Sequence, residues 1–280
     1  MKKPNQSELA ERFRLMHLAP KTLVLPNAWD VASARIFESL GYPAIATTSA
    51  GVANSLGYRD GQRISRAEML EVVHRIAHAV SVPVTADMEA GYGKTPDELS
   101  ETARELVNSG AIGLNLEDAT GDPAAPLFDC AANVARIEAV RLASEAAGVK
   151  LVINARTDSY WKGGGDEMSK LQDAIDRGNA YLQAGADCIF VPGAIRPDII
   201  QTLCHSISGP VNILAFRDVP PISELERLGV ARVSVGSGIM RATMGVTRHA
   251  AQQLLEYGTY EAFTEGAMNY IDANALFDGD

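Results

Sequence analysis

Cysteine is scarce in this sequence of 280 residues, which contains only Cys130, Cys188 and Cys204. The three are far apart, their number is odd, and no two stand in the CxxC spacing of zinc sites. This pattern argues against both a disulfide framework and a structural zinc site. We therefore expect three free thiols in a reducing compartment.

Long apolar runs and basic tracts are also missing. No uninterrupted apolar run approaches the ~18 residues that cross a bilayer, and segment 1–13 lacks the apolar stretch of a secretion signal. The chain carries 35 acidic and 25 basic side chains, a formal net charge of −10. This balance argues against partners such as nucleic acid or an anionic membrane. We expect a cytoplasmic protein that acts on a small molecule.

A glycine-rich phosphate loop is absent as well, since neither GxGxxG nor a Walker A motif occurs. Eight short, nearly continuous apolar runs alternate with segments of helical periodicity, and no linker interrupts them. The runs that we interpret as strands are 22–27, 44–49, 82–88, 113–118, 151–158, 188–193, 211–216 and 232–237. The alternation predicts an α/β fold, a (β/α)8 TIM barrel, with residues 1–280 as one domain. The alternative, a doubly wound open sheet, usually has fewer strands and a glycine-rich loop after the first.

Helical periodicity and capping signals place the helices. They are predicted at 66–80, 95–109, 131–147, 169–184 and 222–228 between strands, at 7–18 before the barrel, and at 239–257 and 259–273 after it. Thr95 followed by Pro96 and Glu98 is a capping box with proline at the first helical position. Ser7 is the expected N-cap of the first helix. Glycines that suit a left-handed helix end before a strand are Gly41, Gly110, Gly185 and Gly229.

Acidic residues cluster at the carboxyl ends of the predicted strands, where barrels of this kind carry their active sites. Asp87 and Glu89 are two residues apart in an extended segment, so both point to one side. With Glu117 from the next strand they bring together three carboxylates, which repel one another unless a cation or shared protons compensate. Oxygen ligands without a nearby His or Cys favour Mg²⁺ or Mn²⁺ over zinc.

Arg156 ends the strand that follows Glu117, and two roles are open to it. It can form a buried ion pair with Glu117, or it can bind a substrate carboxylate or carbonyl oxygen when a metal occupies the carboxylates. The turn formed by Ser49, Ala50 and Gly51 either offers backbone N–H groups to the same anion or is only a tight turn. The remaining candidates for substrate contact are Gly91, Tyr92 and Asn212.

Four motifs together resemble the isocitrate lyase/phosphoenolpyruvate mutase superfamily: TTSAGVANSLGYRDG (47–61), ADMEAGYG (86–93), LNLED (114–118) and INARTDSY (153–160). The resemblance implies a (β/α)8 barrel, a Mg²⁺-bound 2-oxo carboxylate or its enolate, and a tetramer whose subunits exchange the last barrel helix. We therefore expect a homotetramer or homodimer. It implies that Asp87 binds the metal directly, and that water links the metal to Asp60, Glu89 and Glu117. It also implies that Arg156 contacts the substrate oxygens and that the backbone of 49–51 holds the carboxylate.

The loop after the fourth predicted strand departs from that superfamily. Isocitrate and methylisocitrate lyases carry Lys-Lys-Cys-Gly-His there, with the cysteine as general acid, whereas residues 119–128 contain no Cys, His or Lys. The Lys and Asn that the mutase and phosphonopyruvate hydrolase branches need in this loop are missing too. We therefore expect an activity other than that of the standard lyases.

The predicted function is a Mg²⁺-dependent carbon–carbon lyase or decarboxylase that acts on a small 2-oxo or 2-hydroxy carboxylate through an enolate. Its predicted catalytic residues are Arg156, Asp60 and Glu117. Two alternatives stay open: a carbon–phosphorus bond enzyme with Asp60 near the phosphorus, and a catalytically silent protein that binds a 2-oxo acid. Segment 161–166 is interpreted as a mobile loop that helps to cover the site.

Overall fold

The structure, a computed structural model, describes residues 5–278 of the chain. Its strands are β1 (Leu23–Leu25), β2 (Asn27–Ala28), β3 (Ile45–Thr47), β4 (Val84–Asp87), β5 (Gly113–Glu117), β6 (Val152–Arg156), β7 (Cys188–Phe190), β8 (Val211–Leu214) and β9 (Arg232–Ser234). Its helices are α1 (Gln6–Met16), α2 (Val31–Ser39), α3 (Ser49–Ser55), α4 (Arg66–Ala79), α5 (Pro96–Asn108), α6 (Cys130–Ala146), α7 (Ser159–Lys162), α8 (Glu167–Gln183), α9 (Pro197–Ser206), α10 (Ile222–Arg227), α11 (Gly238–Tyr257), α12 (Glu261–Thr264) and α13 (Tyr270–Ala275).

The strands form one parallel sheet in the order β1-β9-β8-β7-β6-β5-β4-β3-β2. β1 pairs with β9, whereas β2 pairs with β3. Only Pro26 separates β1 from β2, and proline has no N–H to contribute to a ladder. The two are therefore halves of one strand, and the sheet closes on itself. The predicted (β/α)8 barrel is confirmed. Seven of the eight predicted runs contain their strand, and the first ends one residue before β2 does.

The capping signals explain where several helices begin and end. Thr95 caps α5, with Pro96 in its first turn and Glu98 completing the capping box, as predicted. The four glycines named for helix ends have left-handed φ values between 83° and 103°, a region that favours glycine because it has no Cβ.

Two local predictions are wrong, and the start of a third predicted segment is shifted. The N-cap of α1 is Asn5 and not Ser7, because the Asn5 side chain accepts from the Glu8 amide and Glu8 reciprocates. The helix predicted at 259–273 is two short helices, since Gly266 turns with φ 75° and Asn269 caps a new helix, α13. The mobile loop predicted at 161–166 begins inside α7, which includes Trp161.

Polar side chains fill the barrel interior under the strand ends. Asn154 donates to the Asn115 side chain at 2.7 Å. Arg232, with no exposed surface, reaches the same oxygen at 3.4 Å. Burial lowers the pKa of Arg232 to about 10. Because branched aliphatic side chains usually fill this space, hydrogen bonds replace part of the apolar packing below the site.

The last long helix stands apart from the barrel core. α11 is 20 residues long, and Met240 is its one buried residue. Its exposed apolar side chains include Leu254, at 47% exposure, and Leu255, at 87%. Among residues 5–278, no helix has both the length and the apolar character needed to cross a bilayer.

Candidate active site

A cavity of about 140 Å³ opens at the carboxyl ends of the strands. Its lining combines acidic, amide, hydroxyl and aromatic side chains with one cation: Asn27, Thr48, Ser49, Ala50, Asp60, Asp87, Asn115, Arg156, Trp161, Phe190, Leu214, Ser234, Gly236 and Ser237. We call this the inner cavity. Its volume is below the roughly 300–1,000 Å³ of pockets for larger ligands, so it suits a small acid.

Asp87 lies at the end of β4, where the neighbouring strand fixes its orientation. Its Oδ2 accepts from the backbone N–H of Ser49 at 3.0 Å and from the Ser49 hydroxyl at 2.8 Å. Its own N–H donates to the Thr47 hydroxyl at 2.9 Å. These bonds hold one carboxylate oxygen in place at the cavity wall. They also show that the Ser49 amide, one of the predicted anion donors, binds Asp87.

Repulsion among the carboxylates shapes the electrostatics of the site. Desolvation, followed by the charge of Asp87, raises the pKa of Asp60, although Asp60 is an exposed residue at the rim of the cavity. Desolvation and the charges of Asp87, Asp60 and Glu117 raise the pKa of Glu89 to about 8. A bound cation would relieve this repulsion.

Glu89 faces away from the inner cavity and anchors two neighbouring segments. Its Oε2 accepts from the Gln62 amide at 2.7 Å, and its Oε1 accepts from the Tyr92 hydroxyl at 3.2 Å. Gln62, Glu89 and Tyr92 all have left-handed φ values, of 53°, 49° and 53°. Such backbone costs energy in residues other than glycine and persists where its surroundings enforce it. Through Gln62, Glu89 holds the loop that carries Asp60.

Arg156, at the end of β6, is held by two buried carboxylates. Its Nη1 lies 2.6 Å from Oε2 of Glu117, and its Nε and Nη2 donate to both oxygens of Asp158, at 2.6 and 3.0 Å. The rings of Trp161 and Phe190 lie 5.0 and 5.9 Å from the guanidinium carbon. Burial raises the pKa of Glu117, although Arg156 opposes the rise. The ion pair considered for Arg156 and Glu117 is present, and Arg156 still lines the cavity.

The oxygen donors at the strand ends fit a hydrated divalent cation. Within residues 5–278, no three His, Cys, Asp or Glu side chains lie close enough to enclose a metal by themselves. Asp60 and Asp87 do line one cavity together. Mg²⁺ usually binds through one or two carboxylates and keeps several waters, so oxygen donors of this number fit Mg²⁺ and do not form a closed zinc site.

Five of the predicted site residues line the inner cavity: Ser49, Ala50, Asp60, Asp87 and Arg156. Glu117 adjoins it through its ion pair with Arg156. Gly51 packs against Thr48 and Trp29, and Asn212, fully buried, lies two residues before Leu214 on β8 and thus one layer lower. Gly91 packs against Leu99, and Tyr92 lines a separate cavity with Gln62.

Several residues that line the inner cavity were not predicted from the sequence. Asn27 accepts from the amides of Val235 and Gly236 at 2.9 and 3.0 Å and donates to the Thr47 carbonyl at 2.8 Å, so it ties the barrel closed beside the cavity. A polar residue directly after Pro26 at a strand end was the available signal. Trp161 belongs to the segment expected to cover the site, but the exact position of its side chain depends on the short helix α7.

A buried network supports the floor of the site. Oδ1 of Asp118 accepts from the Asp158 amide at 2.9 Å. Its Oδ2 accepts from the Tyr181 hydroxyl at 2.8 Å and from Arg177 at 3.2 Å. Arg177 also donates to the Phe128 carbonyl at 2.9 Å. Asp118 therefore joins the loop after β5 to the loop that orients Arg156 through Asp158.

Comparison with known proteins places the chain. The family model for phosphoenolpyruvate phosphomutase matches residues 13–255. A crystal structure from Burkholderia cenocepacia J2315 is 36% identical and superposes with a TM-score of 0.91 over 98% of this chain and 97% of that chain. The 2-methylisocitrate lyase of Bacillus subtilis is 27% identical over 290 residues, 99% of this chain and 91% of that protein. The oxaloacetate decarboxylase of a Bradyrhizobium strain is 27% identical over 266 residues, 91% and 87%.

The fold and the strand-end site thus define an enzyme built on a parallel α/β barrel. The chain belongs to the phosphoenolpyruvate mutase family, within the isocitrate lyase/phosphoenolpyruvate mutase superfamily of lyases and mutases. The resemblance found in the four sequence motifs is confirmed.

Proposed function

We propose that the protein is a Mg²⁺-dependent carbon–carbon lyase, most simply a decarboxylase, that acts on a small 2-oxo or 2-hydroxy carboxylate of the oxaloacetate type. The observation that carries the proposal is one small cavity in which Arg156 lies beside Asp60 and Asp87. An arginine binds a carboxylate, and the two acids suit a divalent cation. The relative named oxaloacetate decarboxylase supports the same substrate class.

Asp87 would hold the metal directly, and Asp60, Glu89 and Glu117 would hold it through water. Bound there, Mg²⁺, or Mn²⁺ in its place, supplies a Lewis acid that polarises the 2-oxo group. For Glu89 the water-linked role is the least direct, because both of its oxygens already accept from Gln62 and Tyr92.

The chain's own residues bind and orient the substrate. Arg156 is fixed by Glu117 and Asp158 before the substrate arrives, so its N–H groups need little reorganisation to bind the substrate oxygens. Ala50, in the first turn of α3, lines the cavity next to Ser49. When carbon dioxide leaves, the electrons of the broken carbon–carbon bond enter the 2-oxo group, and the charge of Arg156 stabilises the enolate.

The loop after β5 supports decarboxylation over cleavage of the isocitrate type. Residues 119–128 contain no Cys, His or Lys that could serve as general acid. Departing carbon dioxide requires no proton from the protein, and solvent can protonate the enolate. The missing acid therefore fits a decarboxylase better than a standard isocitrate lyase.

Release of pyruvate from oxaloacetate tests the proposal. We expect Mg²⁺ to support enzymatic release, EDTA to abolish it, and Mn²⁺ to restore it, because the carboxylates of the site repel one another until a cation binds. Magnesium without enzyme is the control for spontaneous decarboxylation. Release that is unchanged by EDTA would contradict the proposal.

The two alternatives have their own readouts in the same preparation. Release of phosphate from phosphonopyruvate, or its isomerisation to phosphoenolpyruvate, would identify a carbon–phosphorus bond enzyme. Mg²⁺-dependent thermal stabilisation by oxaloacetate or 2-oxoglutarate without any product would identify a silent binding protein.

An assembled homotetramer or homodimer that exchanges α11 is part of the proposal. α11 leaves nearly all of its surface exposed, including Leu254 and Leu255, and exposed apolar patches of this kind mark interfaces. A cytoplasmic location and one domain over residues 1–280 are also proposed. The free state of all three cysteines supports a reducing compartment.

Light scattering coupled to size exclusion checks the assembly. We expect the wild-type mass to be two or four times that of one chain and Leu255→Glu to lower it, because a charge buried in an apolar interface is costly. Leu142→Glu, which makes the same substitution at an exposed leucine of α6, is the control and should not. A wild-type monomer would contradict the exchange.

A further inference from the structure

A second cavity, of about 410 Å³, adjoins the inner cavity. The two share four lining residues, Trp161, Leu214, Gly236 and Ser237. We call the larger one the outer cavity. Because the cavities have these walls in common, they lie side by side at the carboxyl ends of the strands.

The chemistry of the outer cavity differs from that of the inner one. Leu214, Phe216 and Val235 give it an apolar wall, and Phe216 leaves 42% of its surface exposed there. Its two charged lining residues are both cations, Arg217 and Arg241. The inner cavity, by contrast, is lined by two acids and one arginine.

Arg217 lies in a turn after β8 and lines the outer cavity. The Ala215 amide donates to the Ser234 carbonyl at 2.8 Å, and the Val219 amide donates to the Phe216 carbonyl at 3.2 Å. Asp218, the next residue, adopts a left-handed φ of 71° and does not line the cavity. Among residues 5–278, no side chain forms an ion pair with Arg217, whereas two carboxylates already bind Arg156.

We propose that the outer cavity is a specificity subsite for the distal end of the substrate, and that Arg217 binds a second carboxylate there. The substrate class is then a dicarboxylate whose carbon chain passes the apolar wall and reaches Arg217. This inference rests on the proposed function only in placing the 2-oxo-carboxylate end against Arg156. It assigns to Arg217 a choice between di- and monocarboxylates, a role that Arg156 cannot perform because it meets the end common to both.

Two ligands of equal chain length isolate the distal carboxylate. 2-Oxoglutarate carries it, whereas 2-oxovalerate ends in a methyl group. Binding is measured by calorimetry in the presence of Mg²⁺, so no turnover is needed. We expect the wild-type protein to bind 2-oxoglutarate more tightly, and Arg217→Ala to raise the Kd for 2-oxoglutarate about tenfold, the size of one charge-assisted hydrogen bond. The Kd for 2-oxovalerate should stay unchanged.

Arg227→Ala is the matched control, because it removes an exposed arginine of α10 that does not line either cavity. It should change neither Kd. Arg217→Lys, which keeps the charge, should restore part of the affinity for 2-oxoglutarate. An Arg217→Ala effect that is equal for both ligands, or absent for both, would overturn the subsite.

The inference and the proposed function fail separately. If dicarboxylate preference depends on Arg217 but no substrate yields product, the subsite stands and the decarboxylase does not. If oxaloacetate is decarboxylated with Mg²⁺ while Arg217→Ala leaves both Kd values unchanged, the reverse holds.

Discussion

Replacing Asp87 with alanine is expected to lower kcat/KM for oxaloacetate about 10³-fold, or about 4 kcal/mol of transition-state stabilisation. The proposed reaction depends on charge stabilisation at the 2-oxo group, and Asp87 is the carboxylate that Ser49 fixes at the cavity wall. The measurement is the initial rate of pyruvate release at saturating Mg²⁺. Excess metal should not rescue the variant.

The same substitution should leave the fold intact. Asp87 adds to the charge repulsion at Asp60 and Glu89, so its removal relieves strain in the metal-free protein. We expect the Tm without metal to change little, because the relief of repulsion offsets the two hydrogen bonds lost from Ser49. Asp97→Ala, at an exposed position in the first turn of α5, is the control and should keep full activity. An active Asp87→Ala enzyme would refute the proposed metal ligand.

Asp118→Ala is expected to reduce the free energy of unfolding by about 3–5 kcal/mol, the range for breaking a buried ion pair. Asp118 has no exposed surface. Its removal leaves the buried Tyr181 hydroxyl and Arg177, whose side chain is 12% exposed, without the carboxylate to which both donate. Urea denaturation followed by circular dichroism gives the value.

An exposed aspartate on α8 provides the control for that measurement. Asp176→Ala should change the free energy of unfolding by no more than about 0.5 kcal/mol. Asp118→Asn, which keeps the shape but not the charge, should lie between the two. A loss below about 1 kcal/mol for Asp118→Ala would show that the network contributes little to stability.

The strand-end acids could be predicted from the sequence because strand ends obey a simple rule. Asp87 and Glu117 close apolar runs, and parallel strands bring their carboxyl ends to one rim. The rule predicts which residues lie at the rim of the barrel. It does not predict where a side chain points once the chain has left the strand. Glu89 lies past the end of β4, where a left-handed φ turns it from the cavity toward Gln62 and Tyr92.

Among the helix caps, too, the sequence predicted some residues correctly and missed others. Thr95 with Glu98 was readable because both partners of the box lie within one turn. Asn5 was missed in favour of Ser7 because both residue types cap helices, and the choice depends on which side chain reaches a free amide. The split of 259–273 followed from backbone dihedrals at Gly266, which periodicity does not report.

The sequence by itself determined the barrel, the family and the acidic rim, because hydrophobic period and residue order along the strands are local properties. Only the tertiary structure decided which side chains share a cavity. Trp161 from α7 and Phe190 from β7 both lie beside Arg156, and Arg217 from the turn after β8 lines the neighbouring outer cavity. This arrangement depends on barrel closure and on short loop segments. Such contacts arise from packing between distant segments, for which a single sequence carries no pattern.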